Sequence, residues 1–259
     1  MTDLRNKTAL VTGGGTGIGE AIAIDLAAAG AKVIVAGRRL EPLDNTVRQI
    51  VDAGGLARAV AADLTQPQQI EGLAQNVLEQ EGGVDMLINN AGFSSKVRSA
   101  KFISAQEWQS VMDVNTMGPA MLTKALLPAM IDRGAGDVVM ISSMAGLRPN
   151  VMAGVVYSAA KMAAKGYMEV LQQEVKKHGI RCLTVYPGEV DTPILDNRAL
   201  PPGEEARALM MQSQDISAAV MMALSLPHRA TVTEIAITAT MPRDMSADVK
   251  AALSKESAD

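Results

Sequence analysis

A phenol and an amine lie four residues apart in Tyr157-Ser158-Ala159-Ala160-Lys161. On a helix, residues at that spacing share a face. An ammonium beside a phenol favours the phenolate and draws the tyrosine pKa down from its ordinary value of about 10. A phenol tuned in this way can exchange a proton with a carbonyl or alcohol oxygen. Ser143, in Ile141-Ser142-Ser143, supplies a hydroxyl that could hold the same oxygen. Taken alone, the pair more readily describes an amphipathic helix with a solvated lysine. The surrounding elements must decide.

Those elements alternate. Apolar runs that read as strands cover Thr8–Thr12, Lys32–Ala36, Leu56–Ala61, Met86–Asn89, Asp137–Ile141, Arg181–Tyr186 and Glu234–Thr238. Helical periodicity fills the intervals: Ile18, Ile22 and Leu26 on one face, then 40–53, 67–80, 105–133 with a soft break at Gly118-Pro119, 156–178 and 216–226. Continuous apolar strands separated by helices indicate a parallel sheet buried on both faces. Right-handed crossovers then give an α/β, Rossmann-type doubly wound sheet in a single domain, residues 1–259. A helix start is expected after Pro201-Pro202. The polar tail from about Pro242 to the end is weakly periodic and is expected to fray.

Bulk properties exclude several classes. A length of 259 residues with 48% hydrophobic and 20% charged residues supports one large core. Aromatics are 2%, so that core is aliphatic, with 17 methionines as adaptable filler. A net charge of −4 without a basic cluster argues against nucleic acid or an anionic membrane as partner. One cysteine, Cys182, precludes an internal disulfide, and two histidines do not make a typical zinc site, so no metal is expected. The N-terminus does not read as a signal peptide and no apolar stretch reaches membrane-spanning length, so a soluble cytoplasmic protein is expected.

Thr12-Gly13-Gly14-Gly15-Thr16-Gly17-Ile18-Gly19 lies between the first strand and the first helix. Glycines let the backbone approach a pyrophosphate, and the helix N-terminus favours its charge. With this turn the pieces fall into a known order: Thr12–Gly19, Asp63, Asn89-Asn90-Ala91-Gly92, Asn115, Ile141–Ser143, Tyr157–Lys161 and Pro187-Gly188-Glu189-Val190-Asp191-Thr192. In that order they resemble the short-chain dehydrogenase/reductase family, strongly from about residue 7 to 192 and weakly afterwards.

The resemblance implies roles. Tyr157 would be the catalytic acid/base. Lys161 would lower its pKa and bind the nicotinamide ribose. Ser143 would hold the substrate oxygen, with Ser142 the lesser candidate. Asn115 would hold a water linking Lys161 to solvent. Cofactor contacts would come from Gly13, Gly15, Thr16, Gly17, Ile18 and Gly19, from Asp63 and Leu64 at the adenine, from Asn89, Ala91 and Gly92, and from Pro187, Gly188, Val190 and Thr192 near the nicotinamide. Each piece also has a plain structural reading: Asn115 capping a bend, Asn89–Gly92 an ordinary turn, Asp63 an N-cap, Thr192 a loop residue.

Members that use NAD need a carboxylate at the end of the second strand to bind the ribose 2′-hydroxyl. Here the sequence is Ala36-Gly37-Arg38-Arg39, with Gly37 where the acid would stand. Arg38 and Arg39 can meet a 2′-phosphate, which an acid would repel. The expected cofactor is NADP(H); the bland alternative is a solvated turn.

A hydrophobic carbonyl compound or its alcohol is the expected substrate, lined by Phe93, Ser94, Ser95, Met144, Ala145, Val151, Met152 and the segment from Glu189 to Leu195. Glu189 would bond a substrate hydroxyl or point to solvent. Residues 193–214 resemble the family's substrate lid. The helices around 116–133 and 157–173 form the dimer interface in the family, so a homodimer or homotetramer is expected. The reading is an NADP(H)-dependent oxidoreductase interconverting a ketone or aldehyde with its alcohol. The alternatives are an NAD-linked alcohol or sugar-alcohol dehydrogenase and a catalytically silent nucleotide sensor.

Overall fold

The computed structural model describes residues 3–256. Seven strands form one parallel sheet: β1 (Thr8–Thr12), β2 (Lys32–Gly37), β3 (Leu56–Ala61), β4 (Met86–Asn89), β5 (Gly136–Ile141), β6 (Ile180–Pro187) and β7 (Glu234–Ile237), in the order β3-β2-β1-β4-β5-β6-β7. The chain leaves β1 in one direction and returns beside it at β4. That reversal is the switch point at which doubly wound sheets open a crevice at the C-terminal ends of their strands. In register, Val11 lies beside Val35 on one side and Ile88 on the other.

Both faces of the sheet are covered. One apolar layer joins Val11, Val35 and Val185 to Ile22 and Leu26 of α1 (Gly17–Ala28), to Leu43 and Ile50 of α2 (Leu40–Asp52), and to Ile216 and Val220 of a later helix, Ser213–Leu224. The other joins Leu10, Leu87 and Met140 to α3 (Pro67–Glu81), to α5 (Gly118–Arg133) and to α6 (Val155–Val175). Cys182 is buried in the second layer, and burial pushes its thiol up to about 12, as an inert core residue requires.

The helical stretch expected over 105–133 is broken earlier than its Gly-Pro pair suggests. Helix α4 (Ala105–Met112) runs into a π-helical turn at Asp113–Met117 before α5 begins. Within that turn the Asn115 side-chain amide donates to the Val111 carbonyl at 2.9 Å. A side chain inserted into the backbone ladder is a recognised cause of such a widening. Gly118 then presses α5 against the Leu64 carbonyl, where an added Cβ would sit 2.6 Å away.

After Pro201-Pro202 a short helix, α7 (Glu204–Ala208), forms as expected, followed by α8 (Ser213–Leu224), whose start is closed by reciprocal Gln212 and Asp215 bonds. The tail departs from expectation. It forms a helix, α9 (Ser246–Ser254), and residues 257–259 lie outside the described residues. Arg243 docks it, donating to Glu189 at 2.7 and 2.8 Å and to Asp248 at 2.9 and 3.0 Å. The tail is polar because its anchors are ion pairs, which leave no apolar period to read.

Removing one partner of a buried ion pair typically costs about 3–5 kcal/mol. Arg243→Ala is therefore expected to undock α9. Limited proteolysis read by mass spectrometry should show cleavage between about residues 243 and 254 at least about tenfold faster than in the parent protein.

Candidate active site

The crevice begins at the turn after β1. A Cβ at Gly19 would stand 2.3 Å from the Gly13 carbonyl oxygen and 2.4 Å from Asn90 Nδ2. Only glycine permits α1 to start this close to the strand end. Asn90 closes the contact, its amide donating to the Thr12 and Gly13 carbonyls at 3.0 and 3.2 Å. Thr12 Oγ1 accepts from the backbone N–H groups of Asn90 and Ala91, both at 3.0 Å. No side chain caps the start of α1. Its first backbone N–H groups are left for an anion, the seat a helix N-terminus offers to a phosphate.

Two connected arms leave this turn. The smaller, about 190 Å³, is lined by Gly13, Gly15, Thr16, Gly37, Arg38, Arg39, Asp63, Leu64, Ala91, Gly92 and Phe93. Asp63 closes its far side through a local turn, accepting from Thr65 N–H and Oγ1 at 2.9 Å each. Gly37 faces open space there: a Cβ would meet nothing nearer than Leu43 at 3.6 Å. The larger arm, about 580 Å³, is lined by Gly17, Ile18, Ser143, Met144, Met152, Tyr157, Lys161, Pro187, Gly188, Glu189, Val190 and Thr192, among others.

The four expected catalytic residues converge on the larger arm and its wall. Ser143 stands at the end of β5, where Oγ accepts from Ala145 N–H at 3.2 Å. Tyr157 and Lys161 come from the first turns of α6. Lys161 is 3% exposed, its ammonium donates to the Ile141 carbonyl at 3.1 Å, and it lies 5.6 Å from the Tyr157 ring centroid. Asn115 donates to the Phe93 carbonyl at 2.8 Å, and its buried Oδ1 has no hydrogen-bond partner among the described residues. A Cβ at Gly92 would touch both this oxygen, at 2.7 Å, and Lys161 Nζ, at 3.4 Å. The unfilled acceptor and the ammonium therefore face one small space.

The electrostatics differ from the sequence expectation. Burial pushes Tyr157 above its ordinary value, and Ser143, Arg98 and Arg198 only partly oppose it. Lys161 is not among the groups that draw the phenol down, because burial works on it too and brings its ammonium down to about 8. The cations that favour the phenolate are arginines.

Other expectations also shift. Asn89 points away from the crevice: it is 1% exposed and its amide donates to Thr123 Oγ1 at 3.0 Å, tying β4 to α5. Phe93 lines the smaller arm, not the larger, and packs against the buried cluster of Val111, Val156 and Ala160. Ser95 is occupied by Val97 and Glu107, and Val151 is exposed. Glu189 neither points to solvent nor stands free for a substrate hydroxyl. It is paired with Arg198 at 2.6 Å and Arg243 at 2.7 Å, which hold its carboxyl below the usual range against the effect of burial. Sequence reasoning missed Arg98, Arg148, Arg198 and Arg243, all of which line the larger arm. Isolated arginines in polar loops carry no period or spacing that would single them out.

Among the described residues there is no cluster of metal-binding side chains, and no helix is long and apolar enough to cross a membrane.

The family model described as short chain dehydrogenase matches residues 7–201. An uncharacterized oxidoreductase of Staphylococcus aureus (strain MRSA252) is 36% identical over 239 residues, covering 92% of this chain and 99% of its own. A metagenomic short-chain oxidoreductase solved in complex with NADP is 31% identical, with a TM-score of 0.81, covering 92% of this chain and 99% of that one. An alcohol dehydrogenase from the archaeon Thermococcus sibiricus, complexed with 5-hydroxy-NADP, is 27% identical, with a TM-score of 0.82, covering 92% and 98%.

The buried ammonium has a cost that depends on pH. Lys161 falls from an ordinary 10.5 to about 8 on folding. Between those values the unfolded chain binds more protons, so this group's contribution to stability rises with pH across the window. At pH 7 the penalty is present in full. Lys161→Met is expected to be more stable than the parent by about 2 kcal/mol at pH 7. Denaturant unfolding of the two proteins from pH 7 to 10.5 should show that gap narrowing as pH rises.

Proposed function

The chain belongs to the short-chain dehydrogenase family and is an oxidoreductase; from that premise we propose that it uses NADP(H) to interconvert a ketone or aldehyde with its alcohol. The observation that carries this reading is the convergence of Ser143, Tyr157 and Lys161 on one crevice beside a glycine cradle.

The residues present fit a dinucleotide. The cradle at Gly13 and Gly19 admits backbone alone, α1 leaves its N-terminus uncapped, and Asn115 keeps an unfilled buried acceptor. Gly13, Gly15, Thr16, Gly17, Ile18 and Gly19 would hold the pyrophosphate. Asp63 and Leu64 would hold the adenine end. Ala91, Gly92, Pro187, Gly188, Val190 and Thr192 would flank the nicotinamide. When bound, the cofactor supplies or accepts the hydride.

The chain's own residues handle the proton and the orientation. Ser143 Oγ holds the substrate oxygen. Tyr157 donates its phenolic proton to that oxygen during reduction and takes it back during oxidation. Burial keeps the phenol protonated at neutral pH, the form an acid needs for reduction. Lys161 binds the ribose and, with Asn115 Oδ1, holds a water that resupplies the phenol. Met144, Met152, Ile194 and Leu195 supply an apolar wall for the carbonyl compound. Residues 193–214 act as the lid; Arg207 ties it to Asp191 at 2.7 Å and braces it internally through Asp196 at 2.6 Å. A homodimer would cover the exposed Met117, Met121, Met162 and Val170 of the turn, α5 and α6.

The preference for NADP(H) rests on Arg38 and Arg39, both exposed on the smaller arm and free of ion pairs among the described residues, and on the missing acid at Gly37.

Tyr157→Phe is expected to lower kcat by about a thousandfold while the NADPH dissociation constant stays within about threefold. Unchanged turnover would rule out Tyr157 as the acid. Fluorescence titration should show NADPH binding at least about tenfold tighter than NADH, and Gly37→Asp, for which there is room, should reverse the order. Tighter NADH binding by the parent protein would overturn the cofactor assignment.

A further inference from the structure

Four arginines in a mostly apolar arm call for an accounting of charge. Arg198 and Arg243 share Glu189, and Asp248 completes the group. Two guanidinium groups against two carboxylates leave that quartet neutral.

Arg98 stands outside it. The residue is 5% exposed and lines the larger arm. Its Nη1 donates to the Ala153 carbonyl at 2.7 Å and its Nη2 to the Asn197 carbonyl at 3.4 Å. Its buried Nε has no acceptor, and the guanidinium forms no ion pair, among the described residues. Glu107 attracts it only from a distance, and that carboxylate is taken by Ser95 Oγ. Tyr157 is close enough to interact, but burial holds the phenol neutral.

The loop is shaped around this side chain. At Gly154, where φ is +83°, a Cβ would meet Arg98 Cα, Cβ and Cδ at 2.9, 3.0 and 2.8 Å. Val155 N–H donates to the Arg98 carbonyl at 3.0 Å, which ties the residue to the first position of α6, two residues before Tyr157. A buried cation without a counter-ion is costly, and a backbone built to hold one in place is not explained by packing. Arg148 adds a second cation with no ion pair among the described residues, exposed at the rim of the same arm.

We infer that the substrate is an oxo acid: a ketone or aldehyde that carries a carboxylate, which Arg98 receives inside the larger arm and Arg148 attracts at its mouth. A planar guanidinium matches a carboxylate in shape as well as charge. The inference rests on the carbonyl-reductase reading above and narrows its substrate class. The substrate's carboxylate supplies the charge that the protein leaves out, while the Glu189 quartet remains intact.

The test uses the full-length protein with pyruvate, acetoacetate, levulinate and benzoylformate, each against its methyl ester. Two quantities are read: kcat/KM from NADPH oxidation, and the dissociation constant of each compound from the NADP⁺-loaded protein by calorimetry. At least one acid is expected to exceed its ester by about tenfold or more in both. In Arg98→Gln that ratio should fall to about one, and in Arg98→Lys, which keeps the charge without the fork, it should lie between. NADPH affinity should not change in either variant. If Arg98→Gln does not fold, the parent ratio and Arg98→Lys decide.

Esters that bind and react as well as the acids throughout, or acids that do not bind at all, would overturn the inference. So would an equal loss on acids and esters in Arg98→Gln with a shifted pH profile, which would assign Arg98 to Tyr157 instead. Failure to bind NADPH would strike the reductase reading itself. Turnover confined to the esters would spare that reading and remove only the oxo acid.

Discussion

The approach of Gly13 to Gly19, closed by the Asn90 amide, sets the position of everything that follows. It brings the start of α1 against the end of β1 with no room for a side chain. Because the amide reaches across from the turn after β4, the same contact locks the two sides of the sheet's switch point together. A crevice must open where the chain direction reverses, and here its floor is backbone held by hydrogen bonds. Thr12 adds two more, to Asn90 and Ala91. These bonds fix the uncapped start of α1 relative to the turn after β4, beside the wall that carries Ser143, Tyr157 and Lys161.

On that wall burial acts in opposite senses on the pKa values of Tyr157 and Lys161. It raises the phenol of Tyr157 and lowers the ammonium of Lys161, and so favours the neutral form of both. The phenol is thereby kept protonated, and the lysine is nearer neutrality than a surface lysine. The π-helical turn belongs to the same arrangement. By taking the Val111 carbonyl with its amide, Asn115 widens the helix and leaves its oxygen turned to the space beside Lys161. The irregularity in the backbone and the orientation of the acceptor are one feature.

The arginines divide between architecture and recognition. Glu189, Asp248, Arg198 and Arg243 bring the turn after β6, the segment that carries Arg198 and the tail onto one side of the larger arm. Buried pairs of this kind contribute modest net stability against an apolar alternative, but each partner is costly to remove. They specify which segments meet. Arg98 has no carboxylate partner among the described residues and is held by backbone carbonyls instead, which is the ground for the ligand proposed above.

The order of strands and helices, the glycine turn and the four-residue spacing of Tyr157 and Lys161 were legible from the sequence because each is local: burial imposes a period of two or about 3.6 on the residues that form it. The motifs also placed Ser143 and Asn115, although the π-helical turn that aims Asn115 has no sequence period. Tertiary structure alone decided that Asn89 turns to α5, that Glu189 is consumed by ion pairs, that the polar tail docks as a helix, and that arginines, not Lys161, act on the phenol. Arg243 meets Glu189 across 54 positions and Arg98 meets Ala153 across 55. Such contacts join polar residues on separate loops. Their charges look solvated in the sequence, and only the folding of the sheet's C-terminal edge removes the water that would have screened them.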